Sequence, residues 1–262
     1  MNKLLAEYKY ELGEIDKGYT NRTLHVNISD NTINSKPVTQ MMKEKFVGGK
    51  GFGLWYLWNA TTPSTKWDDP ENEIIIAGGP ACGITQYAGT GKSLVCSISP
   101  LTDIPIDSNV GGYFGPLLKF SGWDALEIQG KSDKDIIVYI DGNNGVVTIE
   151  EAPLEAYDAH ILGDQLTEMY ADNEEDKRNV AVVTAGTGAE HSRFGILNFT
   201  FYDPRRKTTR LKQAGRGGIG TVFRNKKIKA LIVKFSNVKG DLNNTFEQSI
   251  INKTGIKYHK EI

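Results

Sequence analysis

The hydrophobic positions fall in short runs, mostly of four to seven residues, and few of them repeat with a helical period. Thr23-Leu24-His25-Val26-Asn27-Ile28 alternates weakly and predicts a strand, closed by the turn Ser29-Asp30-Asn31. From Pro37 the pattern becomes helical through Met41, Lys45 and Phe46; glycines at 48, 49, 51 and 53 interrupt it, and it resumes over Leu54 to Ala60. Ile74-Ile75-Ile76-Ala77 and Ser93–Ile98 are apolar enough for buried strands. Pro116 to Phe120 predicts a short helix leaving the glycine pair at 111 and 112. Strands are predicted over Ala125–Ile128 and Ile136–Ile140. Asp141-Gly142-Asn143-Asn144-Gly145 joins the latter to Val146–Ile149 as a hairpin.

Further on, Gly163 to Ala171 reads as a helix, and Val180–Val183, Phe194 to Phe201 and Ile228 to Phe235 read as strands. Short strands mixed with short helices and a hairpin, without a regular β-α-β rhythm, predict an α+β fold. One domain is expected over 1–236. From Asn237 the chain is polar, and 237–262 reads as a tail or a partner-docking segment. No internal repeat is visible in the residues.

Charge is balanced, with 31 Lys and Arg against 32 Asp and Glu, which argues against a nucleic-acid binder. No apolar run approaches the roughly 18–20 residues of a membrane span. The charged stretch 1–13 has no apolar centre, so no secretory leader is expected. The two cysteines, Cys82 and Cys96, lack C-x-x-C spacing; they favour a cytoplasmic setting and cannot supply the four thiolates of an iron–sulfur cluster.

Glycine changes the picture. There are 28 in 262 residues, and they cluster in loops. Gly48 to Gly53 lacks both the P-loop and the dinucleotide fingerprint, and its plainest reading is a turn between helical pieces. Asn109-Val110-Gly111-Gly112 enters a helix, where backbone N–H groups suit an anion; a tight turn with an Asn cap is the plainer alternative. Gly215-Arg216-Gly217-Gly218-Ile219-Gly220 places an Arg within a glycine nest, a donor set for a phosphate or a polar ring. Upstream, Arg205, Arg206, Lys207, Arg210 and Lys212 read mostly as a solvated loop. Lys92 follows Gly89-Thr90-Gly91 and offers one more cation. His25, His160, His191 and His259 are scattered without metal-ligand spacing, and no catalytic constellation is visible.

Taken in order, these loops resemble the N-terminal domain of the aldehyde:ferredoxin oxidoreductase family. The resemblance rests on Gly48-Gly49-Lys50-Gly51, Ile74 to Pro80, Ser99-Pro100-Leu101-Thr102, Asn109 to Gly115, Leu118 to Ala125, Ala214 to Gly220 and Lys227-Ile228-Lys229-Ala230. It spans roughly residues 20–236. It implies an α+β base of two related β-rich halves that carries tungsten (or molybdenum) on two pterin dithiolenes, with the pterin phosphates linked through magnesium.

Carried over position by position, the resemblance implies cofactor contacts at Lys92, Asn109, Gly111, Lys212, Gln213, Gly215 and Arg216. The backbone carbonyls of Asn109 and Gln213 are then the magnesium contacts. No catalytic acid or base falls on this chain. Lys stands at 92 and 212 where the family pattern has Arg, which keeps the charge and loses the planar fork. Gln213 stands where a small residue is usual, and the stretch 201–210 is longer and more basic than the pattern. Family members continue into helical domains with four cluster-binding cysteines and the acid–base residues around the metal. The implied partners are therefore a second subunit holding those domains and an iron–sulfur cluster, and a ferredoxin-like electron carrier. The implied substrate is an aldehyde, a carboxylic acid or a related compound. Two other readings are a non-catalytic binding or assembly module derived from the same domain, and a nucleotide-binding enzyme using Gly215–Gly220.

Overall fold

A computed structural model describes residues 2–87, 89–152, 158–238 and 240–261. The first half of the chain holds β1 (Leu4–Lys9), β2 (Arg22–Asn27), β3 (Thr32–Pro37), α1 (Gln40–Phe46), α2 (Lys50–Ala60), β4 (Ile74–Ala77), β5 (Ser93–Ile98), β6 (Pro105–Val110), α3 (Phe114–Phe120) and β7 (Ala125–Gln129). The second holds β8 (Ile136–Asp141), β9 (Val146–Glu151), α4 (Ala159–Tyr170), β10 (Val180–Thr184), β11 (Leu197–Asp203), β12 (Thr208–Ala214), α5 (Ile219–Asn225) and β13 (Ile228–Lys234), followed by α6 (Gln248–Glu261). The class is α+β, as expected.

The strands form two mixed sheets, ordered β3-β2-β7-β4-β5-β6 and β1-β9-β8-β13-β10-β11-β12. Without β1, the two orders are the same path taken twice. Each half is a hairpin, one or two helices, a central strand, a second hairpin, a seven-residue helix and a last strand. That last strand lies parallel to the half's first strand, β7 beside β2 and β13 beside β8. The repeat that is invisible in the residues is therefore plain in the topology.

Central strands carry the continuous apolar runs: β4 and β13 are buried along their whole length. Leu24, Ile76 and Val95 of one sheet and Val138, Val183 and Phe199 of the other belong to one core cluster. The helices α3 and α5 lie in this interior, and each touches strands of both sheets. Phe114 of α3 meets Phe199 of β11 edge-to-face at 5.6 Å. The outer face of the first sheet is covered by α1 and α2 through Met42, Phe52, Tyr56 and Leu57. The second sheet is covered by α4 through Leu162 and Leu166. Thr39 caps α1 by accepting from Met42 N, and Asp158 caps α4 by accepting from His160 N and Ile161 N.

Several boundaries differ from the expected ones. The second helical piece starts at Lys50, so Gly51 and Gly53 are helical rather than loop residues. A Cβ at Gly51 would fall 2.5 Å from Phe46 O, and one at Gly53 would fall 2.4 Å from Cys96 Sγ. Their role is close packing. The fourth helix begins at Ala159, a turn earlier than its apolar pattern, and β11 begins at Leu197 rather than Phe194. The basic run is a turn only at 204–207, and the rest of it is β12.

The stretch after Asn237 is tied to the first half. Asn243 is fully buried; its carbonyl accepts from Gly18 N at 2.7 Å and its side chain accepts from Lys119 Nζ at 3.2 Å. Gly255 of α6 lies against the Gln86 backbone. Among the described residues no helix is long and apolar enough to cross a membrane.

Candidate functional site

The repeat generates the site. β6 and β12 are edge strands of their two sheets, and each runs through a glycine junction into an interior helix. Pairing within each hairpin is equivalent: Ser93 faces Val110 and Leu94 faces Asn109, as Leu197 faces Ala214 and Asn198 faces Gln213. Asn109 and Gln213 are therefore the same position in the two halves, one residue before the strand ends. Gly111 and Gly215 are likewise matched. Asn109 is the next-to-last residue of a strand rather than the cap of a helix, which corrects the local expectation while keeping the residue at the junction.

The two junctions meet. Arg216 N donates to Ser108 Oγ of β6 at 3.1 Å. A Cβ at Gly217 would fall 2.5 Å from Ile106 Cγ1, so only glycine lets this loop sit on β6. Gly112, Gly217 and Gly218 have φ of 104°, 72° and 69°, in the left-handed region that glycine adopts without strain. Lys92 and Lys212, far apart in sequence, flank one backbone position: a Cβ at Gly111 would lie 3.8 Å from Lys212 Cγ and 3.8 Å from both Lys92 Cδ and Cε. Gly215 has nothing within 4 Å of a built Cβ and faces open space.

The first glycine loop joins the same end of the fold. Gly49 N donates to Gly78 O at 2.6 Å, a Cβ at Gly49 would meet Leu94 Cδ1 at 3.5 Å, and Lys50 pairs with Asp107 of β6 at 2.7 Å. The structure thus brings together six of the predicted residues, Lys92, Gly111, Lys212, Gln213, Gly215 and Arg216, on the two junctions and their flank. Asn109 is at the matching strand position. All but Gly111 are exposed, and Gly111 is half-buried. Among the described residues the Lys92, Lys212 and Arg216 side chains form no ion pair; Lys212 Nζ lies 6.0 Å from the Phe201 ring.

Three unpaired cations beside two backbone glycine nests fit a ligand with anionic phosphates and polar rings. Edge strands also leave alternate backbone groups pointing away from their own sheet, available to a ligand or a cation. The face offers no thiolate, because Cys82 and Cys96 are buried and burial pushes their thiols up to about 11 and about 12. This donor set suits a cofactor that brings its own sulfur ligands to a metal.

Arg205, Arg206 and Lys207 lie on the exposed β11–β12 turn, where Asp203 accepts from Arg205 N and Arg206 N. His191 is exposed at the end of a 3₁₀ turn. One cluster was not anticipated. His25, Glu73 and Glu127 place a ligand atom each within 4.8 Å of one another. The signal lay in strand alternation, since His25 and Glu127 are register partners on β2 and β7, but it needed the sheet order to be read.

The fold defines an α+β domain of two matched β-rich halves, and comparison with known proteins shows its family. Residues 23–235 match the family described as aldehyde ferredoxin oxidoreductase, N-terminal domain. The chain belongs to that family. It is 33% identical over 221 residues to a tungsten-containing aldehyde ferredoxin oxidoreductase of Pyrococcus horikoshii, covering 83% of this chain and 33% of that protein. It is 29% identical over 234 residues to the aliphatic sulfonate oxidoreductase WOR-like subunit of Pyrococcus furiosus, covering 83% and 35%. Among solved structures it is similar to a chain of the active site complex BamBC of benzoyl coenzyme A reductase. There the TM-score is 0.71 at 26% identity, covering 84% of this chain and 31% of the other. The chain spans about a third of the length of these relatives.

Proposed function

We propose that this chain is the cofactor-binding base of a tungsten bis-pterin oxidoreductase. The observation that supports it most strongly is the duplicated edge-strand-to-helix junction. Two equivalent glycine nests beside each other match a cofactor made of two equivalent pterins. Lys92, Lys212 and Arg216 neutralise phosphate or donate to the pterin rings, and Gly111 and Gly215 let the ligand approach the backbone. The carbonyls of Asn109 and Gln213, matched across the two halves, would hold the magnesium that accompanies the cofactor phosphates. The Lys side chains serve as point charges here, and Gln213 contributes through its backbone, so its size is tolerated at an exposed strand position.

The bound group supplies the two-electron chemistry, on an aldehyde, carboxylic acid or related substrate. This chain binds and orients it. The acid–base groups, the remaining cofactor contacts and an iron–sulfur cluster belong to polypeptide outside these residues. We place them in a second cytoplasmic subunit that passes electrons to a ferredoxin-like carrier. The openness of the face around Gly215 and Arg216 is consistent with a covering partner. Molybdenum in place of tungsten leaves these roles unchanged.

The test is to purify the protein with its native partners and measure metals and pterin per complex. One tungsten (or molybdenum) with two pterins is expected, and Lys212→Ala with Arg216→Ala should lower both together while the complex stays assembled. A stable complex with neither metal nor pterin would make the chain an assembly module and overturn the reading.

A further inference from the structure

The face of the first sheet covered by α2 carries a second set of functional groups, at the opposite end of that helix from Lys50. His25 on β2 and Glu127 on β7 are neighbours in a parallel ladder, so their side chains share a face. Ile75 of β4 is the register partner of Glu127 on its other side, and Glu73, two residues earlier, projects to the same face. The C-terminal turn of α2 closes over this corner, leaving a cavity of about 370 Å³ lined by Lys36, Tyr56, Asn59, Glu73, Glu127 and Gln129.

Two buried atoms here have no hydrogen-bond partner among the described residues. Glu73 is 1% exposed and its Oε2 is unpartnered, and His25 Nδ1 is unpartnered as well. An orphaned carboxylate oxygen in the interior is costly unless it has a cation or a donor. Glu127, 2% exposed as a side chain, is held by Lys36 Nζ at 2.9 Å from both of its oxygens, so one cation already sits at the mouth of the cluster. Lys36 is 41% exposed and can swing into solvent. It does not reach Glu73 Oε2.

We propose that His25, Glu73 and Glu127 form a binding site for a divalent first-row metal ion of the zinc or manganese type. One imidazole nitrogen and two carboxylate oxygens are ligands these ions accept, and the cavity leaves room for water in the open position. Bonds of about 2.1 Å draw three ligands to roughly 3–3.5 Å of one another, a contraction of up to about 1–2 Å from the present spacing that side-chain rotation supplies. The ion bridges β2, β7 and the start of β4, so it ties three strands of the first sheet beneath α2. In this role the site is structural.

The test uses the protein in the complex from which it is purified, passed over chelating resin and titrated with Zn²⁺ and, separately, Mn²⁺. Bound metal is measured directly alongside tungsten content. One additional zinc per chain is expected, with a raised thermal midpoint. Glu73→Gln and His25→Gln should each abolish the additional zinc while tungsten content is unchanged, and circular dichroism checks that both fold. Lys36→Met removes the competing ammonium and should tighten zinc binding about tenfold, the effect of one lost charge-assisted pair. No additional zinc in the wild type, or the same zinc in Glu73→Gln and His25→Gln, overturns the proposal in favour of a carboxyl pair sharing a proton. A Lys36→Met variant that binds zinc no more tightly also counts against it.

Discussion

The two halves share a path and differ in how each holds its interior helix. The sixth residue of α3 is Lys119, and the sixth of α5 is Arg224. Both are cations in the core, 2% and 3% exposed. Lys119 Nζ donates to the carbonyls of Gly79, Pro80 and Cys82 at 2.8, 3.0 and 2.9 Å, and so pins the loop that follows β4. Arg224 instead spans two carboxylates, with Nη2 at 2.6 Å from Glu190 Oε1 and at 3.0 Å from Asp135 Oδ2. Glu190 lies in the stretch that follows β10, so the anchored segment is the same one in both halves. A compact ammonium serves three carbonyls, and a planar fork serves two acids. The task is conserved by position and solved with different chemistry.

That comparison can be broken most sharply at these two cations. Arg224→Met should cost about 3–4 kcal/mol, near the low end for one broken buried pair, because Asp135 and Glu190 keep some solvent. Lys119→Met strands the carbonyls of Pro80 and Cys82, while Gly79 O keeps Cys82 N, and should cost about 2 kcal/mol. It should also release Asn243, and with it the 237–261 stretch, which limited proteolysis would detect. Arg224→Met should leave that stretch protected. Urea midpoints give both energies. Equal loosening of the C-terminal stretch in the two variants would show that the anchors are not tied to separate halves.

The next test sits at the second residue of each helix, where both halves have glycine. A Cβ at Gly220 would fall 2.3 Å from Ile196 O and 2.5 Å from Ile196 C, all backbone. At Gly115 it would fall 2.1 Å from the Ser93 hydroxyl, with Ser93 Cβ at 3.5 Å. Gly220→Ala should therefore cost about 3 kcal/mol and Gly115→Ala about 1–2 kcal/mol, within the usual range for overpacking. Ser93→Ala should rescue most of the Gly115→Ala loss in a double variant, and a double-variant cycle would read the coupling. No single side-chain deletion should rescue Gly220→Ala. Failure of the Ser93 rescue would mean that the β5–α3 contact is set by backbone in the first half too.

The sequence shows one kind of strand and hides another. Apolar runs mark Ile74–Ala77, Ser93–Ile98, Ala125–Ile128, Ile136–Ile140 and Ile228–Phe235, all of them interior strands. The four strands without a distinct signal are β1, β3, β6 and β12, and these are the four sheet edges. Edge strands keep polar residues on their open side, so Pro-Ile-Asp-Ser-Asn-Val and Thr-Thr-Arg-Leu-Lys-Gln-Ala read as loops. The candidate site is built on two of those edges, which is why its parts were legible and its geometry was not. The glycine clusters and Lys92 stood out by composition. That Lys92 and Lys212 flank Gly111, or that Asn109 and Gln213 are one position used twice, depends on register between strands. His25, Glu73 and Glu127 were hidden for the same reason, being brought together only by neighbouring strands.

The smallest contrast lies where the chain enters the central strand of each half. Before β4 it is anchored by a neutral amide: Asn72 Oδ1 accepts from Ile98 N at 3.0 Å, and Asn72 Nδ2 donates to Trp67 O at 2.7 Å. Before β10 it is anchored by an acid: Asp176 accepts from Asn179, Ser236 and Lys234, the last at 2.9 Å. Burial pushes the Asp176 carboxyl up, but the hydrogen bonds from Asn179, the Asp172 backbone, Lys234 and Ser236 outweigh it and hold the group well below the usual carboxylate range. A folded-state value below the unfolded one means that the stabilisation is complete above about pH 5 and is lost as pH falls through the unfolded value towards the folded one. Asp176→Asn keeps an acceptor and loses the charge. It should cost about 1 kcal/mol at pH 7, the difference between a charged and a neutral hydrogen-bonded anchor. The gap from wild type should close steadily in urea titrations taken from pH 5 down to pH 2. A gap that stays constant over that range would mean that Asp176 anchors β10 by shape rather than by charge, and that the two halves enter their central strands by the same neutral means.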